Sequence, residues 1–220
     1  MSNSESTCWT IIRAAAAGNP ADREELARRY LSVVRAYLAA RWRGSLIIGE
    51  LGDAVQDVFV ECFRQGGALE AVDAGRVPSF RAFLYGVSRN VARRFESRQP
   101  NPSPLPDEID ANEESQSRLF ERAWAQAIMG EAAKLQRKLA TARGPEGVRR
   151  VELLRLRFEE NLPIRTIAQQ WGVDPAELHH AYATARKEFR AALLQVIAFH
   201  SPGSPEQLEH EATNLLKALS

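Results

Sequence analysis

Acidic side chains recur at helical spacing in the segment ELGDAVQDVFVECF, residues 50–63. Glu50, Asp53, Asp57 and Glu61 are separated by three or four positions, so a helix would place these carboxylates on one side. A stripe of one sign complements a basic partner and guides its approach, which makes this segment a candidate docking surface. Two other interpretations stay open. One is an ordinary solvated face, and the other is paired carboxylates for acid-base chemistry or metal binding, although no histidine accompanies them.

Basic and aromatic side chains share the next helical segment, SFRAFLYGVSRNVARRFE, residues 79–96. Its apolar residues fall on one face, and the remaining faces carry arginines, an asparagine and a tyrosine. Holding an unstacked DNA strand requires cations for the phosphates and aromatic rings for the bases. The segment is therefore a candidate single-strand binding surface, with a merely solvated basic helix as the alternative. The side chains concerned are Arg81, Tyr85, Arg89, Asn90, Arg93 and Arg94.

A third segment, residues 164–190, has the pattern of a helix-turn-helix. A short amphipathic stretch ends near Gly172, and a longer helix is predicted to begin with Asp174 as its cap and Pro175 in its first turn. Any hairpin of two helices would share this pattern. Positions 175–185 contain no Lys or Arg, only His179 and His180, which is little charge for a segment that contacts DNA.

The chain shows no recognisable enzyme motif. It has no glycine-rich phosphate loop, no Cys-x-x-Cys pair and no nucleophile elbow. The neighbouring His179 and His180 would point about 100° apart on a helix, which makes them a poor metal-binding pair. We therefore expect a protein without catalytic residues, without a cofactor and without a metal site.

Composition is that of an ordinary globular protein of 220 residues, with 45% hydrophobic and 26% charged side chains. The apolar runs are too short to cross a membrane, and the first residues lack the features of a signal peptide. Two cysteines, Cys8 and Cys62, suggest no disulfide framework, and Cys62 falls on an apolar helix stripe where a buried free thiol is expected. These observations predict a cytoplasmic protein without membrane insertion.

Helical periodicity dominates the whole chain, so we predict an all-α fold with two small helical domains joined by a flexible linker rich in proline and acidic residues. Residues 99–118 carry five acidic side chains and one basic side chain. The predicted divisions are a first domain at 1–98, the linker at 99–117, a second domain with the helix-turn-helix at 118–200, and a C-terminal tail at 201–220. The predicted helices cover 7–17, 21–43, 50–64, 79–96, 117–142, 148–159, 163–171 and 174–199.

Taken together and in this order, the motifs resemble one family. The chain is similar to the extracytoplasmic-function (ECF) sigma factors, the promoter-specificity subunits of bacterial RNA polymerase. The segment ELGDAVQDVFVECF resembles their core-polymerase docking helix, and SFRAFLYGVSRNVARR resembles their −10 element helix. The segment LRLRFEENLPIRTIAQQWGV and the helix after it resemble their −35 reading domain. The likeness covers roughly residues 9–98 and 117–198.

The resemblance implies a role for each surface. Polymerase core and promoter DNA would be the partners, together with an anti-sigma factor or another regulator. The loop at 65–79 and the helix after it would capture a non-template base, and the linker would thread through the polymerase. Implied core contacts are Glu50, Asp53, Gln56, Asp57 and Glu61; implied −10 contacts are Arg81, Tyr85, Arg89, Asn90, Arg93 and Arg94; implied −35 contacts are Glu177, His179, His180, Arg186, Lys187 and Arg190.

Three departures from the family pattern bear on function. Leu51 and Gly52 interrupt the acidic docking motif, and Phe83 stands where a tryptophan is commoner. In the reading helix, His179 and His180 lie where a Thr-Val pair and several basic residues are usual. Two alternatives therefore remain: a stand-alone helix-turn-helix regulator that binds DNA without polymerase, and a sigma-like adaptor with weakened DNA reading.

Overall fold

The structure, a computed structural model, describes residues 8–64, 69, 79–98 and 113–220. Within these ranges the chain is helical and contains no β-strand, so the predicted all-α fold is confirmed. The helices are α1 (Cys8–Ala16), α2 (Pro20–Arg41), a short 3₁₀ helix (Leu46–Glu50), α3 (Leu51–Phe63), α4 (Phe80–Glu96), α5 (Glu113–Ala142), α6 (Pro145–Phe158), α7 (Ile164–Trp171), α8 (Pro175–His200) and α9 (Pro205–Leu219).

The chain folds into two compact units. The first unit combines residues up to 127 with residues 199–220, and the second unit comprises residues 128–198. This division differs from the predicted one, because residues 118–127 and the C-terminal tail belong to the first unit. The helix α5 begins at Glu113, within the segment predicted as linker. The rest of that segment, 99–112, and the loop at 65–78, except Leu69, lie outside the described residues.

Aromatic packing explains why the start of α5 belongs to the first unit. Phe120 and Trp124 are one helical turn apart and both are buried. The ring of Phe120 packs edge-on against Tyr37 of α2 at 5.5 Å, and the ring of Trp124 stacks on Tyr30 at 5.6 Å. Ring pairs of this kind add to the free energy of apolar burial, so α2 and the start of α5 share one core.

Two helices of the first unit, α2 and α4, start at a capping side chain. The side chain of Asn19 accepts hydrogen bonds from the first turn of α2, and Ser79 Oγ accepts one from the Ala82 N–H at 3.1 Å. The predicted inner face of α4 is confirmed, because all five apolar residues assigned to that face are buried. These residues are Phe80, Phe83, Leu84, Val87 and Val91.

The second unit is built around the two short helices α6 and α7 and the start of α8. Leu153, Ile167 and Leu178 are buried together at its centre, one from each helix. At the start of α6, Gly147 lies so close to α5 that a Cβ atom would stand 2.5 Å from the carbonyl oxygen of Ala140. Glycine therefore permits the close approach of these helices.

Candidate functional site

Three of the predicted docking residues lie on the surface of the first unit. Glu50, Asp53 and Gln56 are exposed at the start of α3, because the opposite face of this helix buries its apolar stripe. Asp57 and Glu61 are only half exposed. Cys62 is a buried free thiol, as predicted, and its burial raises its pKa to about 12.

The two half-exposed acids are tied to α4 by one arginine. Arg94 Nη2 lies 2.9 Å from Asp57 Oδ2, and Arg94 Nη1 lies 2.8 Å from Glu61 Oε1. The hydrogen bond from Arg94 is the largest cause that lowers the pKa of Glu61. The structure thus joins a predicted DNA contact to two predicted polymerase contacts, a link that spacing along either helix does not reveal.

An apolar groove borders the acidic surface. It lies between α2 and α3 and has a volume of about 730 Å³. Leu31 of α2 and Val60 of α3 line it and are 46% and 58% exposed. Gln56 lies at its edge, so the carboxylates and the groove form one continuous surface. Arg35 and Arg64 also line the groove, so its apolar floor has a polar rim, as is typical of partner-binding surfaces.

The side chains predicted to bind the −10 element lie in different environments along α4. Asn90 and Arg93 are exposed, and Arg89 is half exposed. The ring of Tyr85 packs at 5.3 Å from that of Phe120, and its hydroxyl is buried without a hydrogen bond among the described residues. Only part of this ring is therefore accessible for stacking on a base.

Arg81, near the start of α4, is surrounded by groups of its own unit. Its Nη1 lies 2.6 Å from Glu211 Oε1 on α9, and its Nε lies 3.5 Å from Glu121 Oε1 on α5. The guanidinium also lies 5.9 Å from the ring centre of Trp124. Burial is the main cause that raises the pKa of Glu121, with Arg81 acting in the opposite direction. No pattern within α4 indicates these partners, since they come from distant parts of the chain.

A buried ion pair between α2 and α4 was not predicted. The guanidinium of Arg41 donates to both oxygens of Glu96 at 2.6 and 2.8 Å, and the Trp42 indole N–H donates to the same carboxylate at 2.8 Å. Arg41 is 2% exposed. Each charge is expensive to bury alone, so this network holds the C-terminal end of α4 in place. Only tertiary structure shows that residues 55 positions apart form a pair.

The turn between α7 and α8 is short and is stabilised by local hydrogen bonds. Gly172 adopts a left-handed conformation with φ of 63°, and the Val173 N–H donates to the Ala168 carbonyl at 3.1 Å. The Asp174 carboxylate accepts the Ala176 N–H at 2.6 Å at the start of α8. Val173 packs on the apolar core of the second unit. A short helix, a three-residue turn and a long helix thus follow one another.

The predicted −35 contacts share the outer surface of α8. Glu177, His179 and His180 are exposed in its first two turns, and Arg186, Lys187 and Arg190 are exposed further along. The neighbouring Glu188 points toward α6, where its carboxylate accepts two hydrogen bonds from Arg150, at 2.8 and 3.1 Å. That pair orients α8 so that the histidines and the basic residues stay outside.

The described residues contain no group of three or more His, Cys, Asp or Glu arranged to hold a metal ion. None of the described helices has both the length and the apolar character needed to cross a membrane. The chain matches no family model and no curated protein sequence.

Proposed function

We propose that this protein is an ECF-type sigma factor, which binds RNA polymerase core and directs promoter-specific initiation by recognising −10 and −35 elements. It is a cytoplasmic binding protein and leaves the chemistry to the polymerase. The observation that carries the proposal is the side-by-side packing of α3 and α4, with exposed carboxylates on the first helix and arginines on the second. Such a surface has complementary sites for a basic protein and for DNA.

Docking on the polymerase uses the exposed start of α3. Glu50, Asp53 and Gln56 meet a basic surface of the core, and the adjoining groove receives apolar side chains through Leu31 and Val60. Asp57 and Glu61 contribute less directly, because both already form ion pairs with Arg94. The interruption of the acidic motif by Leu51 and Gly52 leaves room for this apolar component.

Recognition of the −10 element uses α4. Asn90 and Arg93 are exposed, so backbone and bases of the DNA can reach both side chains. Arg81 and Arg94 hold carboxylates of their own chain, so they reach DNA only by exchanging these partners for phosphates. A guanidinium binds carboxylate and phosphate with similar bidentate geometry, which makes such an exchange feasible.

Recognition of the −35 element uses α8 of the second unit. A helix that follows a tight turn can enter the major groove and read bases with its first turns. There Glu177, His179 and His180 face the base edges, while Arg186 and Lys187 contact phosphates. Few phosphate contacts suffice, since polymerase and the −10 contacts supply most of the affinity.

Transcription with purified polymerase core on genomic DNA tests the proposal. Core plus wild-type protein is expected to give transcripts that start downstream of a shared pair of elements. Asp53→Lys should abolish core binding, because it reverses the charge of an exposed stripe residue that supports no fold contact. Glu24→Lys, the same reversal at an exposed site on α2, is the control.

The outcomes separate this proposal from its alternatives. A sigma-like adaptor would bind core but give no promoter-dependent product; the absence of Lys and Arg between 175 and 185 favours that second candidate. A stand-alone regulator would bind duplex DNA tightly and ignore core. Core affinity that is unchanged by Asp53→Lys would refute the docking role of α3.

A further inference from the structure

The C-terminal helix α9 is a well-defined element that packs into the first unit. Ser204 and Gln207 cap its start reciprocally: Ser204 Oγ accepts the Gln207 N–H at 3.4 Å, and Gln207 Oε1 accepts the Ser204 N–H at 2.8 Å. Ala212 and Leu215 are buried, whereas the opposite face is exposed. The family resemblance does not extend to these residues, so their role must follow from their contacts.

The decisive contact of α9 is made with a predicted DNA-binding side chain. Glu211 on this helix lies 2.6 Å from Arg81, closer than Glu121 at 3.5 Å. Burial is the main cause that raises the pKa of Glu121, and the nearby charge of Glu211 adds to it. The shorter distance makes Glu211 the closer charged partner of the arginine. Residues 201–220 carry three acidic side chains and one basic side chain, so the segment as a whole repels DNA.

We propose that α9 is an internal competitor of DNA, in which the Glu211 carboxylate occupies the position of a phosphate at Arg81. The inference rests on the proposed function for the identity of the competing ligand. DNA that reaches the start of α4 must displace Glu211, and an event that detaches α9 frees Arg81 for a −10 strand. The side chains of Arg81 and Glu211 are 29% and 22% exposed, so solvent and phosphate can reach the pair.

The chain before α9 is fixed to the same unit, which keeps the competitor close. The Tyr30 hydroxyl and His200 Nδ1 share a hydrogen bond of 2.8 Å, and the Arg29 guanidinium lies 4.3 Å from the ring centre of Phe199. With this anchor in place, α9 competes at a high effective concentration. Four residues separate His200 from Pro205, so the helix stays near Arg81 when the ion pair opens.

Binding of single-stranded DNA to the full-length protein tests the competition. Labelled random-sequence DNA is a suitable probe, because contacts to phosphates do not depend on sequence. Glu211→Gln should tighten binding about threefold at low salt, the scale of a partly exposed ion pair. Glu206→Gln makes the same change of net charge on the same helix, away from Arg81, and should have a smaller effect. The gain from Glu211→Gln should vanish in an Arg81→Gln background.

Several results would overturn the inference. An equal gain from Glu211→Gln and Glu206→Gln would show a general charge effect, and a lower melting temperature without tighter DNA binding would show a purely structural contact. Glu211→Asp, which keeps the charge but shortens its reach, is the second variant if the first folds poorly, and it should give an intermediate gain. No promoter-dependent transcript from wild-type protein and core would instead contradict the proposed function, whatever happens at Arg81.

Discussion

The side chain of Arg41 is 3% exposed and its guanidinium donates to both oxygens of Glu96, whereas the side chain of Arg94 is 39% exposed between Asp57 and Glu61. Depth of burial gives these pairs different roles. Breaking a buried pair leaves an uncompensated charge and costs about 3 to 5 kcal/mol, while an exposed pair contributes about 0 to 1 kcal/mol. Arg41 is therefore a structural residue, and Arg94 can move to a phosphate at small cost.

At the residue scale, the lowered pKa of Glu188 predicts how the stability of the second unit depends on pH. Hydrogen bonds from Arg150 are the first cause that lowers the pKa of this carboxyl below its usual 4.5. A depressed folded-state pKa adds stability above 4.5, and that stability is lost as the pH falls through the lower folded-state value. The difference in unfolding free energy between wild type and Glu188→Gln should therefore be constant from pH 7 to about 5.5 and shrink below 4.5.

Denaturant unfolding monitored by circular dichroism at each pH measures this difference. Glu177→Gln is the control. Glu177 lies on the same helix but is exposed, and the hydrogen bonds of Arg150 go to Glu188 instead. A difference for Glu188→Gln that grows as the pH falls would contradict the assigned role of the ion pair.

At the element scale, packing decides which face of each helix stays exposed. The helix α4 buries seven apolar residues and exposes Asn90 and Arg93. On α8, the Glu188 carboxylate accepts hydrogen bonds from Arg150 of α6, whereas His179 is exposed. On α9, Leu215 is buried, whereas Glu211 is partly exposed beside Arg81. The surfaces available to partners are thus the helix faces that are not buried in a core.

Replacement of glycine by alanine should have opposite effects on stability at two positions of the second unit. Gly147→Ala should destabilise the protein by about 1 to 3 kcal/mol, because the new Cβ would stand 2.5 Å from the Ala140 carbonyl oxygen. Gly130 lies inside α5 with open space around it, so Gly130→Ala should stabilise the protein by up to about 1 kcal/mol. Thermal unfolding of both variants gives the signs. A stable Gly147→Ala variant would show that α5 and α6 do not approach as closely as described.

At the scale of the whole molecule, the proposed function assigns the two promoter elements to separate units of the chain. His179→Ala combined with His180→Ala should weaken the preference for −35 bases about tenfold, because both exposed side chains lie in the first turns of the helix proposed to read those bases. Core binding and contacts of α4 with DNA should persist. Gln169→Ala combined with Gln170→Ala, an exposed pair on α7, is the control.

Sequencing of the transcripts made by core and each variant on genomic DNA measures this preference. An unchanged −35 consensus in the histidine variant would show that these two histidines do not read bases. Loss of transcripts with every promoter, together with a lower melting temperature, would instead indicate that α8 has lost its fold.

Local sequence patterns were sufficient to predict the helices. The apolar stripes of α2, α3 and α4, the caps at Ser79 and Asp174, and the left-handed Gly172 follow from contacts within a few residues, so sequence spacing predicts them. Helix ends were less exact: α5 begins at Glu113 instead of 117, and α6 at Pro145 instead of 148. The roles of the predicted docking and DNA-binding residues stay predictions.

The all-α class, the helices and the side chains that are candidates for chemistry can be predicted from the sequence, because they depend on short-range periodicity and residue type. Which of these candidates already hold a partner in the chain depends on tertiary packing. Arg81 meets Glu211 across 130 positions, Arg94 meets Asp57 across 37, and the tail joins the first unit. Such pairs form where distant helices happen to pack, and spacing along one helix carries no information about them.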